Sequence, residues 1–120
     1  MLRLRSVALL IGWGMILTVI VLSLIPVEVD LSEGRDKWSH LLAYGGLMFW
    51  FGMLFTGAIR QLQIALAFVA MGVALEFLQR ETGYRSFDVA DMAANAAGVL
   101  LGWGLVRTPL GQVFSALKDR

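Results

Sequence analysis

The chain has 120 residues, is 58% hydrophobic and has a mean hydropathy of +0.74, which is too apolar for an ordinary soluble domain. A net charge of +1 without a basic tract argues against a nucleic-acid partner, and the lack of cysteine excludes disulfides and thiolate metal sites.

The first apolar stretch, 7–25, follows Arg3 and Arg5 and carries no charge. It is longer than a signal-peptide core, and no small-residue cleavage site precedes Pro26, so it reads as a retained helix. Pro26, lacking an N–H and fixed in φ, ends it. The following loop is acidic, with Glu28, Asp30, Glu33 and Asp36 against Arg35 and Lys37. A second stretch, 38–56, holds Gly45 and Gly46 and is joined to the third, 61–79, by a short connection containing Gly57 and Arg60. These two stretches are therefore antiparallel neighbours. The fourth, 88–106, carries Gly98 and Gly102 at a spacing that lets helices approach closely in lipid. Pro109 ends it, and the tail 110–120 reads as a short amphipathic helix with Leu110, Val113, Phe114 and Leu117 on one side.

Each stretch is near the ~20 residues that a helix needs to cross a ~30 Å hydrocarbon core. The expected fold is all-α, a single domain over 1–120 built as an integral membrane bundle of four transmembrane helices in up-down order. Arg3, Arg5, Arg60, Arg107, Lys118 and Arg120 fall on the side of the termini, and Arg35, Lys37, Arg80 and Arg85 on the other. That excess places both termini in the cytoplasm. Trp38 and Tyr84 then sit as aromatic anchors at the outer interface, and Trp50 and Trp103 toward the inner one.

Up-down connectivity brings the start of the second helix, the end of the third and the start of the fourth to one membrane face. Asp36, His40 and Tyr44 share a stripe at i, i+4, i+8; Glu76 and Gln79 are three apart; Asp88, Asp91 and Asn95 follow i, i+3, i+7. Each has a purely structural explanation. Asp36 and Asp88 suit N-caps, Asp91 suits a first helical turn, Glu76 has Arg80 four residues on, and Asn95 suits a bridge between helices. Capping still leaves His40, Glu76, Asp91 and Asn95 in need of partners below the headgroups. Ionised groups there cost roughly 2.5–3.5 kcal/mol at the bilayer centre, and less toward its edges. The cluster is thus either a packing network or a site.

The pattern Asp36-Lys37-x-x-His40-x-x-x-Tyr44, then Glu76-x-x-Gln79, then Arg85-Ser86-Phe87-Asp88-x-x-Asp91-x-x-x-Asn95-x-x-Gly98 resembles the VanZ-like membrane proteins. The resemblance runs from Asp36 to about Gly102. It implies a small multi-pass helical bundle in the bacterial cytoplasmic (inner) membrane with a role at the cell envelope. The founding member of that family is associated with low-level resistance to teicoplanin, a lipoglycopeptide antibiotic. The resemblance marks positions and assigns no catalytic roles.

Read as a site, the cluster offers His40, Glu76 and Asp91 as candidate catalytic groups, an imidazole beside carboxylates being a natural proton acceptor. Asp36, Lys37, Tyr44, Gln79, Arg85, Asp88 and Asn95 are candidate binding residues, with Lys37 and Arg85 suited to a phosphate headgroup. His40, Glu76, Asp88 and Asp91 are candidate metal ligands, a donor set suited to Mg²⁺, Mn²⁺ or Zn²⁺. Metal-bound water would need no protein nucleophile, and Ser39 and Ser86 lie in no nucleophile motif. The partners that follow are membrane lipids and a lipid-linked cell-wall precursor or lipoglycopeptide, bound or modified in an extracytoplasmic pocket. A homo-oligomer is open. The competing expectation is a non-catalytic structural bundle, or an ion- or proton-conducting one, although no inverted repeat is visible.

Overall fold

In the computed structural model the chain folds into four α-helices: α1 (Leu2–Leu24), α2 (Arg35–Leu54), α3 (Ala58–Thr82) and α4 (Val89–Val106). A 3-10 turn over Pro109–Gln112 follows. The structure describes residues 2–24, 35–82 and 89–112, with side chains over 4–24, 38–81 and 89–112. The all-α class is as the sequence implied, and the first three helices start earlier than hydropathy suggested, while α1 and α2 end slightly sooner. Helix α1 starts before Arg3, α2 takes Asp36 and Lys37 into its first turn, and α3 reaches beyond Arg80. Hydropathy stops at the first charge, whereas backbone hydrogen bonding continues through it.

Three of these helices, α1, α3 and α4, are long and apolar enough to cross a membrane, which makes this a membrane protein. Helix α2, the expected second span, is not among them. Its 20 residues give about 30 Å of helix, so length is no obstacle. Its polar opening turns and its glycines lower its apolarity. It packs against each of the other three helices, burying Leu47, Met48, Phe51, Met53 and Leu54 and leaving Trp38 and Leu42 exposed.

The closest approach is between α2 and α4, where glycines face each other. A β-carbon on Gly98 would collide with the Leu41 carbonyl oxygen and lie 3.0 Å from Gly45 N; one on Gly102 would collide with the Gly45 carbonyl. The Gly98/Gly102 pair therefore has α2 as its partner, and the two backbones touch. Around this seam Tyr44, Leu47, Met48, Phe51, Ala65, Phe68 and Val99 form the core. Phe51 packs tilted against Phe68 at 5.6 Å between centroids and meets the edge of Trp13 at 6.1 Å. Helix α1 turns its small residues Ala8 and Gly12 inward and exposes Leu10, Trp13, Leu17 and Leu22. In a bilayer that outer face meets lipid.

The chain reverses between α2 and α3 at Gly57, whose φ of 97° is a left-handed conformation that favours glycine. Its carbonyl accepts the Gln61 N–H at 3.0 Å and starts α3. The last carbonyls of α2, which have no partner within the helix, are satisfied from neighbouring helices. Arg5 Nη1 donates to Leu54 O at 2.7 Å, and Gln61 Nε2 donates to Gly52 O at 3.0 Å and Phe55 O at 3.2 Å. Trp103 Nε1 donates to Gln61 Oε1 at 3.0 Å, and Trp50 Nε1 to Ala8 O at 2.8 Å. Trp50 and Trp103 were expected as interfacial anchors; their indole N–H groups point into the bundle instead, because bundle acceptors lie within reach. Arg5 and Arg60 lie over the Phe55 ring at 4.9 and 5.6 Å. Of the expected tail helix, Pro109–Gln112 forms the 3-10 turn, and the rest lies outside the described residues.

Candidate functional site

At the opposite end of the bundle, α2, α3 and α4 each contribute polar side chains to one place. His40 and Tyr44 stand a turn apart on α2. Asp91 and Asn95 stand a turn apart on α4, both buried. From α3 come Glu76, 1% exposed, and Gln79, also buried. Helical spacing alone would have let these stripes face anywhere. The glycine contact between α2 and α4 fixes their direction, since His40 lies just before Leu41 and Gly45, and Asn95 just before Gly98.

The contacts are between side chains. His40 Nδ1 lies 2.9 Å from Asn95 Oδ1. The other ring nitrogen, Nε2, lies 3.8 Å from Asp91 Oδ2. One imidazole thus bonds Asn95 at one edge and faces Asp91, a turn away on the same helix, at the other. The Asn95 amide is seated over Gly72 of α3, where a β-carbon would come within 2.9 Å of Asn95 Nδ2 and 3.3 Å of Tyr44 Cε2. Gly72 is therefore the gap in α3 that admits Asn95. Tyr44 is buried and within electrostatic range of Glu76. The His40 and Asp91 side chains keep 17% and 11% of their surface open, while Asp91 Oδ1 is buried without a hydrogen-bond partner among the described residues.

Gln79 takes a different part. Its Nε2 donates to Ser23 O at 2.8 Å, tying α3 to the last turn of α1. Arg80 is exposed, lies 3.7 Å from Glu81 and packs over Phe77 at 5.4 Å. Asp36 and Lys37 belong to the first turn of α2, while their side chains, together with Arg85 and Asp88, lie outside the described residues. Among the described residues no three His, Asp or Glu side chains are grouped to hold a metal ion. His40 and Asp91 of the candidate ligands stand together; Asp88 is not described.

The sequence alone assigns no role to Gln61 or Gly72 and marks Arg5 only as a charge flanking the first helix. The signal for Gln61 is that an amide one turn inside an apolar helix must find a partner. Gly72 is a close-approach position, and what approaches it is the Asn95 side chain.

A protein-family profile, VanZ/LLP1, matches residues 3–111, nearly the whole chain. The chain belongs to the VanZ/LLP1 family. No curated protein and no solved structure matches it. The match extends the VanZ resemblance from the polar motifs back to the first helix, so α1 is part of the VanZ/LLP1 unit. Gly72 and Gln61 also fall inside that span, along with all the polar residues of the His40 cluster.

Proposed function

We propose that this protein is a multi-pass component of the bacterial cytoplasmic membrane whose His40 cluster faces the extracytoplasmic side. There it binds or modifies a lipid-linked or glycopeptide-type envelope ligand. All four helices span, and both termini lie in the cytoplasm. The length of α2 and its contacts with three apolar helices support its spanning. The positions of Arg5, Arg60 and Arg107 near one end of the bundle support the orientation. By this reading the protein lowers susceptibility to a lipoglycopeptide such as teicoplanin by engaging that antibiotic or the precursor it competes for.

One observation carries the reading: His40 bonds Asn95 and faces Asp91 at 3.8 Å, while the buried Asp91 Oδ1 has no hydrogen-bond partner among the described residues. Gln61 and Gln79, by contrast, donate to backbone carbonyls. The test is direct binding of teicoplanin and of a lipid-linked cell-wall precursor to the purified protein in nanodiscs. Binding that His40→Gln and Asp91→Asn weaken at least tenfold, with folding retained, is the expected result. Absence of binding by the parent at micromolar concentrations would overturn the proposal.

The Gln79–Ser23 bond favours a second reading, in which the whole cluster is a packing network. Under it, His40→Gln and Asp91→Asn lose thermal stability together, and no ligand restores it.

A further inference from the structure

The end of the bundle around Leu54 gathers positive charge as well as finishing α2. Arg5 of α1 and Arg60 of α3 come to the same half-buried ring, that of Phe55, with their guanidinium carbons 4.9 and 5.6 Å from its centroid. The local structure holds them there. Arg5 Nη1 is fixed on Leu54 O, Trp50 ties the next turn of α1 to α2 through Ala8 O, and Gln61 Nε2 pins Phe55 O. The left-handed Gly57 turns the chain, and Arg60 lies back over Phe55. A ring face draws a cation to it, but two guanidiniums near one ring repel each other. Among the described side chains the acidic ones lie toward the other end: Glu76 and Glu81 late in α3, and Asp91 in the first turn of α4. By sequence, the stretches that lead into α1 and out of α4 add Arg3, Arg107, Lys118 and Arg120 against Asp119 alone.

We propose that Arg5 and Arg60 form a binding site for a phosphate group at the membrane surface, supplied by a lipid headgroup of the adjoining leaflet or by soluble phosphate. The guanidinium fork matches phosphate oxygens in shape and charge. It carries five N–H donors, so serving Leu54 O does not consume the capacity of Arg5 for an anion. An anion at the pair replaces the repulsion between two cations by attraction of both to itself. Depth agrees with this. Arg5 is the fourth residue of α1 and Arg60 the third of α3, so both stand at helix ends, where a leaflet's phosphates lie. Basic groups at that level attract anionic lipid. Because the two arginines come from different helices, a bound phosphate joins α1 to α3 across the end of α2. The site lies at the far end of the bundle from His40 and is independent of any ligand bound there.

The test reads the thermal midpoint of the purified full chain in an uncharged detergent, titrated separately with phosphatidylglycerol, phosphatidylcholine and inorganic phosphate. The expected result is a midpoint raised by several degrees with phosphatidylglycerol and left in place by phosphatidylcholine, whose choline cation offsets its phosphate. Arg60→Gln is the deciding variant, since Arg5 also serves Leu54 O and its loss disturbs the fold. Without lipid it melts close to the parent, because it removes only an exposed cation from Phe55. It then needs at least about tenfold more phosphatidylglycerol for the same rise. Arg80→Gln removes an exposed arginine at the other end and keeps the full response. Phosphatidylglycerol acting where inorganic phosphate does not makes the source a lipid headgroup. Inorganic phosphate acting as well shows that the phosphate group suffices, and acting by itself makes the source the soluble anion. No rise with either anion, an equal rise with phosphatidylcholine, a full rise in Arg60→Gln, or an equal loss in Arg80→Gln would each overturn the proposal.

Discussion

The two ends of this bundle handle buried polarity in opposite ways. Near Leu54 the polar side chains that reach inward serve the backbone or a group already serving it: Arg5 and Gln61 donate to the last carbonyls of α2, and Trp103 supports Gln61. Near His40, Gln79 still serves a carbonyl, that of Ser23, but the contacts of His40 run from side chain to side chain, to Asn95 and toward Asp91. The first arrangement finishes helices. A helix end leaves carbonyls that need donors, and a side chain from the next helix supplies them more reliably than water at the membrane edge. The second finishes nothing in the backbone, since His40 and Asn95 lie within helices whose hydrogen bonding is already complete. What a polar group bonds to, rather than how deeply it lies, separates the structural end from the candidate site.

That contrast can be broken most forcefully at the seam on which both ends depend. Gly98→Leu would drive α2 and α4 apart, because even a β-carbon collides with the Leu41 carbonyl. We expect loss of the folded protein in detergent by size-exclusion chromatography, and Gly98→Ala to cost about 1–3 kcal/mol as overpacking. Next comes Gln61→Leu, which strips donors from Gly52 O and Phe55 O and orphans the Trp103 indole. A loss of about 1–3 kcal/mol follows, read as a lower thermal midpoint, with ligand binding unchanged. Glu76→Gln, Asp91→Asn and His40→Gln should change stability less than Gln61→Leu or raise it, while abolishing binding, as residues kept for function tend to. If these three instead destabilise as much as Gln61→Leu, the two ends are alike and the packing reading wins. The smallest effect expected is from Arg60→Ala, which removes an exposed cation over Phe55. It should cost about 0.5 kcal/mol in a denaturation titration.

The sequence made the helices legible because apolar runs bounded by charge, Pro26 and Pro109 leave little choice of element. It also grouped His40, Tyr44, Glu76, Asp91 and Asn95, since up-down order and helical spacing determine which turns share a level. It could not say that Gln79 would serve Ser23 while Asn95 serves His40. Both are amides on apolar helices, and the partner is set by rotation about the helix axis, which the glycine contacts decide. Trp50 and Trp103 show the same limit from the other side. An indole near a span end has the composition of an anchor, and only the position of Ala8 O and Gln61 Oε1 makes it a strut. Helix α2, read as a span from its apolar stretch 38–56, is not among the three helices apolar enough to cross, because its opening turns are polar.

The partner that completes His40 lies 55 residues further along the chain. At translation rates of about 5–20 residues per second, roughly 3–11 s pass between the synthesis of His40 and that of Asn95. Throughout that interval α2 has been made and the helix that covers its polar stripe has not. Maturation therefore has a waiting step, in which a nascent α2 must be sheltered by α1, α3 or the insertion machinery until α4 arrives. A ribosome pause placed before Val89 would lengthen that exposure and offer the half-built bundle to membrane quality control.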